Sequence, residues 1–228
     1  MTQCNATNLT IGVGRATSSF SPLAISPDGH QIMFFSVYSA VTSGTPNVPT
    51  VSLAGWTFAE VTSVVFGAFS GTDHRLTLFI GIGPTGSGLT PGIDFSGQNQ
   101  LICEWVIDQV SNTLVTGTGG INAILQTGTF GPHGSGFSIT FGGAFANINN
   151  ATYAVTAKDA VNTIVPTAPM VELNQIENSG SPNGGLGSQF SSGNVPVPAA
   201  TFTGSGGDDV GAIACELIFL SLIQGFIV

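Results

Sequence analysis

Positive charge is nearly missing from this chain of 228 residues: Arg15, Arg75 and Lys158 are its only basic residues apart from three histidines, against twelve acids. A protein that grips a nucleic-acid backbone needs several cations to displace phosphate counterions, so no nucleic-acid partner is expected. The same shortage argues against binding at an anionic membrane surface. Charge of either sign is scarce at 7% of residues, where an ordinary soluble domain has about 25%. The surface must therefore be polar but uncharged, and with 42% hydrophobic residues the composition favours lateral association into an oligomer.

Cysteine is also sparse. Cys4, Cys103 and Cys215 are far apart with no C-x-x-C, which points away from a disulfide framework or a structural zinc site and toward small buried hydrophobes. One bridge with a spare thiol is the alternative. No window of twelve or more residues shows a helical stripe with caps. The N-terminus MTQCNATNLTIGVG has neither the basic start nor the apolar stretch of a signal peptide, so no classical export is expected. Residues 210–228 read VGAIACELIFLSLIQGFIV, but Glu216, Ser221 and Gln224 interrupt them and no basic flank follows. A buried last strand with an apolar tail docked on a neighbour is expected there rather than a membrane span.

What the chain does have is short β-rich runs separated by Gly, Pro, Asn and Ser clusters. Strands are expected at Leu9–Val13, Gln31–Ser39, Phe58–Phe69, Arg75–Ile82, Gly92–Phe95, Gln100–Val110, Gly136–Phe141, Thr152–Lys158, Met170–Leu173, Gly187–Ser191 and Ala212–Phe219. In QLICEWVIDQV, Leu101, Cys103, Trp105 and Ile107 alternate with Gln100, Glu104 and Asp108, which predicts one core face and one wet face. Turn signals stand at Ser26-Pro27-Asp28-Gly29, Ser70-Gly71-Thr72-Asp73 and Asn183-Gly184-Gly185; Glu177–Gly187 reads as a loop, and Val195–Pro198 as an extended or edge segment. No repeat of twenty to fifty residues is evident. The fold class is all-β: an antiparallel β-sandwich of two stacked sheets, jelly-roll-like, one domain over residues 1–217 with an apolar tail at 218–228.

Little chemistry is legible. Gly81-Ile82-Gly83-Pro84-Thr85-Gly86 matches G-x-G-x-x-G, but Pro84-Thr85-Gly86-Ser87-Gly88-Leu89-Thr90-Pro91-Gly92 cannot sustain the helix whose N-terminus would hold a pyrophosphate. A glycine-rich strand corner is the expectation, and no cofactor is called for. Asp73-His74-Arg75 is the densest polar cluster, read as a strand-entry turn with Arg75 paired to Glu104 or another acid on an adjoining strand. Glu104 and Asp108 are about 13 Å apart along one strand face, too far for a glycosidase pair. His30, His74 and His133 lack metal-ligand spacing. Asp208-Asp209 could offer oxygen ligands to calcium but read first as a solvated loop. Trp56, with Tyr38 or Phe79, could form a sugar-stacking platform, although core packing is the simpler role. No catalytic, cofactor or metal residues are therefore assigned.

The run Gln31–Ser39, Val51-Ser52-Leu53-Ala54-Gly55-Trp56-Thr57, Arg75-Leu76-Thr77-Leu78-Phe79, and Ile93-Asp94-Phe95-Ser96-Gly97 leading to Cys103-Glu104-Trp105-Val106-Ile107 resembles the jelly-roll-like β-sandwich proteins of tailed-phage virions and related prophage genes. That resemblance implies a non-enzymatic shell, tail or decoration component, located in the virion after assembly in the host cytoplasm. Its expected partners are copies of itself and capsid or tail proteins, with a host surface glycan as a further candidate. A carbohydrate- or receptor-binding module and a jelly-roll hydrolase are the alternatives.

Overall fold

A computed structural model of the chain describes residues 3–67, 73–131, 136–145, 147–161, 163–180, 183–202 and 209–220. It is all-β, antiparallel and sandwich-like as expected, but with four sheets in place of the two expected, and the strands among the described residues fall into two sets of eight. The first set is β1 (Asn5–Gly14), β2 (Ser19–Phe20), β3 (Ile32–Ala40), β4 (Thr50–Ser52), β5 (Thr57–Phe66), β6 (His74–Ile82), β7 (Gly92–Asp94) and β8 (Ile102–Ser111). A 3-10 segment, Thr118–Ala123, then leads into β9 (Ile124–Phe130), β10 (Gly136–Ser138), β11 (Ala151–Lys158), β12 (Ile164–Pro166), β13 (Val171–Asn178), β14 (Gly184–Ser191), β15 (Ala199–Phe202) and β16 (Val210–Leu217).

The two sets have one topology. The first forms a five-stranded sheet in the order β1-β8-β3-β6-β5 and a three-stranded sheet β2-β7-β4. Adding eight to each strand number gives the second set: β9-β16-β11-β14-β13 and β10-β15-β12. The order 1-8-3-6 beside 2-7-4 is that of a jelly roll, in which long connections return each strand beside an earlier one. In each half the fifth strand pairs with the sixth instead of joining the smaller sheet.

Registers match as well. Phe34 pairs with Ile80 and Asp108, while Tyr153 pairs with Phe190 and Cys215. A β-bulge follows Glu60 in β5 and Glu172 in β13, both opposite equivalent residues, Phe79 and Gln189. Bulges bend a strand at a fixed place, so a shared one confirms the alignment of the halves.

The five-stranded sheets pack face to face. Contacts across the interface are in part reciprocal: β8 touches β14 where β6 touches β16, and β8 touches β13 where β5 touches β16, whereas β1 packs on β13 more closely than β9 on β5. Such reciprocity describes an approximate two-fold relation, as between the subunits of an isologous dimer. Phe34 and Tyr153, counterparts in β3 and β11, stack on each other with ring centroids 4.2 Å apart and planes 12° from parallel.

Each small sheet covers the outer face of its large sheet, so three cores result from four layers. The central one holds Ile32, Phe34, Leu78, Val106, Tyr153, Val155 and Ile213. The outer ones hold Met33, Phe35, Trp105 and Phe95 in the first half, and Ala154, Ala212, Phe137 and Phe202 in the second. This explains why IMFFSVYSA in β3 is buried throughout: even-numbered residues face the central core and odd-numbered ones the outer core, so neither side meets water.

Eleven strands are met at or near their expected places, residues 68–69 of the third lying outside the described residues. The three-residue strands β4 and β12, the two-residue β2, β9 and β15 escape the pattern reading, because too few residues alternate in most of them and Gln126-Thr127-Gly128-Thr129 in β9 is not apolar. Gly184 and Gly185, expected in a turn, open β14. Val195–Pro198, expected as an extended or edge segment, forms no strand and bends at Pro196 and Val197, although the carbonyls of Pro196 and Pro198 accept from the amides of Phe141 and Ile139.

Candidate functional site

The alternation in β8 is real, but its polar face is not wet. Glu104 and Asp108 are 0% exposed and point into the central core between the large sheets, while Cys103, Trp105 and Ile107 pack under the small sheet. A buried carboxyl costs several kcal/mol unless hydrogen bonds replace its water. Asp108 has them: Asn8 Nδ2 donates to Oδ1 at 2.8 Å and the Tyr153 hydroxyl to Oδ2 at 2.8 Å. Asn174 Nδ2 then donates to Asn8 Oδ1 at 2.9 Å, and Ser36 Oγ lies 3.3 Å from the Tyr153 hydroxyl. Burial pushes the Asp108 carboxyl up to about 6, against the pull of Asn8, Ser188 and Tyr153. The network joins β1, β3 and β8 of one half to β11, β13 and β14 of the other.

Glu104 stands two pleat repeats away along β8, opposite Tyr38. Burial pushes it up to about 8, opposed by the Asn178 amide and the charges of Arg15 and Lys158. Beside it the Tyr38 hydroxyl and His74 Nδ1 are hydrogen-bonded at 2.9 Å. Burial lowers the His74 pKa, which the acids Asp209 and Asp73 partly offset. Tyr38, Phe66 and His74 form a stacked group, with Tyr38–His74 and Phe66–His74 centroids 5.8 and 5.5 Å apart. Lys158 is buried on the outer side of β11, its Nζ 5.1 Å from the Phe202 ring centroid. Tyr38 and Glu104 thus lie between the two large sheets, next to Gly184 of the other half.

Other sequence-selected residues are placed differently from expectation. Arg75 does not pair with Glu104, which lies on the other face; its Nε donates to the Pro46 carbonyl at 2.7 Å and its Nη1 to Ser63 Oγ at 2.8 Å. Trp56, Tyr38 and Phe79 form no sugar platform, being 8%, 0% and 6% exposed, and the Trp56 indole donates to the Pro84 carbonyl at 3.1 Å. The three cysteines are buried and unbridged. Asp209 is buried, with its amide donating to Asp159 Oδ1 at 2.9 Å, so it is not in a solvated loop; Asp208 lies outside the described residues, as does His133. Among the described residues no cluster of His, Cys, Asp and Glu could hold a metal ion.

The glycine-rich stretch Gly81–Gly86 is a strand corner. Gly81 belongs to β6, and no helix follows. Its loop folds onto the Ser26–Gly29 turn: the Gly86 amide donates to the Pro27 carbonyl at 3.0 Å and the Gly29 amide to Thr85 Oγ1 at 2.9 Å. In that turn the His30 amide and ring and the Gln31 side chain hold Asp28 down at about 2. A Cβ at Gly83 would run into the Trp56 ring, so the close approach of that ring calls for a glycine here.

The described surface also carries a groove. At the edge where β1 and β13 lie side by side, an open groove of about 820 Å³ runs between the halves. Val171 and Ile148 are 65% and 78% exposed on its walls. Both strands are sheet edges, whose free amides and carbonyls can accept another chain. Sequence reasoning missed this groove, because its residues come from segments far apart in the chain. The opposite edge of the first sheet, at β5, is covered by the 3-10 segment Thr118–Ala123, which packs on β5 and β6. No family model matches the chain, and no curated protein or solved structure matches it either.

Proposed function

We propose that the protein is a non-enzymatic structural subunit of a virus particle, most consistent with a tailed phage, which attaches as an oligomer to the capsid or tail surface. The observation that carries this reading is the duplicated jelly roll built from a chain almost without charge. Jelly rolls recur in capsid and lectin domains, and a fold-level analogy of this kind guides function without fixing it. The composition adds a physical argument. A subunit that meets many identical neighbours gains from a surface with little charge to desolvate, since interface centres are depleted in charged residues.

The buried acids and aromatics fit the same role, because they align the two halves and leave the outer surface free for contacts. Purified particles are the test. The protein should co-sediment with them at fixed stoichiometry and be located on the head or tail by immunogold electron microscopy. A chain that stays wholly in the soluble fraction of a lysate while complete particles form without it would sink the reading.

A further inference from the structure

We propose that the cleft between β4 and β5 binds a glutamine side chain on an extended segment of a partner protein, holding its carboxamide between Glu60 and the free edge of β4. The cleft, of about 360 Å³, opens on the outer side of the first large sheet, with Val48, Thr50, Val51, Phe58, Glu60 and Phe79 in its walls. β4 ends its sheet, so on the side away from β7 alternate backbone groups of Thr50–Ser52 have no strand partner. An extended segment can add to such an edge and send a side chain into the space beside it.

The second half shows what the cleft takes. β12 touches β13 there as β4 touches β5, but a side chain of the chain itself bridges the gap. Gln175 Oε1 accepts the Ile164 amide of β12 at 2.9 Å, and its Nε2 donates to Glu172 Oε2 at 3.0 Å. Glu172 and Gln175 flank the bulge of β13 at the places of Glu60 and Ser63 in β5. Glu60 pairs with Phe79 and Ser63 with Thr77, as Glu172 pairs with Gln189 and Gln175 with Gly187. A carboxamide thus joins carboxylate to small-sheet edge in one half, and the shorter serine leaves that place open in the other. Ser63 is also drawn away, since its Oγ accepts from Arg75 Nη1 at 2.8 Å, and the residue at the place of Arg75 in the second half is Gly185. Glu60 is exposed and accepts no hydrogen bond from a described residue. Its charge acts on the Arg75 guanidinium, so a cation is already at hand and a neutral donor is favoured over an ammonium. An amide both donates and accepts, as a carboxylate on one side and a backbone edge on the other require.

NMR titration of the full chain with short capped peptides tests this. The probe alternates Thr and Val around a central glutamine, and shifts should centre on the amides of Thr50–Ser52, Phe58, Glu60 and Phe79. Replacing its glutamine by methionine should weaken binding at least about tenfold, and so should Glu60→Ala in the protein, because each removes a hydrogen bond to a charged group. Ser63→Gln supplies the carboxamide from within, as Gln175 does, and should abolish binding; an unchanged unfolding midpoint in both variants would show that the fold persists. Shifts elsewhere, or none at all, would overturn the inference. So would glutamine and methionine probes that bind alike, a lysine probe that binds more tightly, or Ser63→Gln that folds and still takes the peptide. Shifts at these residues from N-acetylglucosamine and not from the peptide would make the cleft a glycan site and overturn it equally. None of these outcomes depends on whether the protein is found in a particle.

Discussion

The two halves share strand order, pairing register and one bulge, yet they present opposite inward faces. The first is large and polar, with Tyr38, Phe66, His74, Glu104 and Asp108. At the matching places in the second stand Ala157, Gly184, Gly211 and Cys215, opposite Tyr38, His74, Glu104 and Asp108 respectively. A Cβ at Gly184 would meet Tyr38 Cε1 at 2.9 Å, and one at Gly211 would run into the Phe66 ring. Knobs of one half therefore fill holes of the other. A duplicated fold can pair with its own copy or with its sister, and this size difference specifies the sister, since two large faces would clash and two small ones would leave voids.

The largest break in that comparison is at its centre. Phe34→Ala removes a fully buried ring stacked on Tyr153 and should cost about 3–5 kcal/mol in chemical denaturation. If it costs no more than an exposed substitution, the halves do not rely on this contact. Gly211→Val comes next: overpacking against Phe66 should destabilise by about 1–3 kcal/mol. The double variant with Phe66→Ala should recover part of this loss, and strict additivity in the double-mutant cycle would show that the residues do not meet.

Tyr153→Phe keeps the ring but deprives Asp108 of a donor, for an expected loss of about 1.5–3 kcal/mol at neutral pH. The same change should cost less at acid pH, where Asp108 is uncharged. More generally, both inward acids have folded pKa values above their ordinary ones. In that case the unfolded chain ionises first as pH rises, so the contribution of these two groups to stability is greatest below about pH 4 and falls between there and about pH 6 for Asp108 and about pH 8 for Glu104. Denaturant midpoints across this range should decline, and Glu104→Gln should flatten the part above pH 6. A flat profile in the parent would place both acids in contact with water. The smallest effect is expected outside the interface: Arg75→Lys loses the fork to Pro46 and Ser63 on a half-buried surface and should cost under about 1 kcal/mol.

Much of the strand inventory was legible because period-two alternation and glycine punctuation are local properties. The strand QLICEWVIDQV shows the limit. Its two faces were separable by eye, but apolar against polar suggested inside against outside, whereas both faces are inside. A carboxyl can be buried when donors reach it from elsewhere, and Asn8 and Tyr153 come from 100 and 45 residues away in the chain. The same applies to Trp56, whose exposure depended on the loop that brings Pro84 to its indole. The duplication was invisible because topology repeats over roughly 110 residues while the inward residues were made to differ, not to match.

By itself the sequence determined that this chain is all-β, nearly uncharged, without a helix to carry its G-x-G-x-x-G and with thiols suited to burial, since each of these follows from composition or from neighbours a few residues apart. Only the tertiary structure decided that the strands form two copies of one sandwich, that Glu104 and Asp108 lie between them, and that one edge is covered while its counterpart is open. Those facts depend on which distant surfaces meet, and packing of unlike faces, glycine against aromatic ring, is a property of pairs of segments that no single segment records.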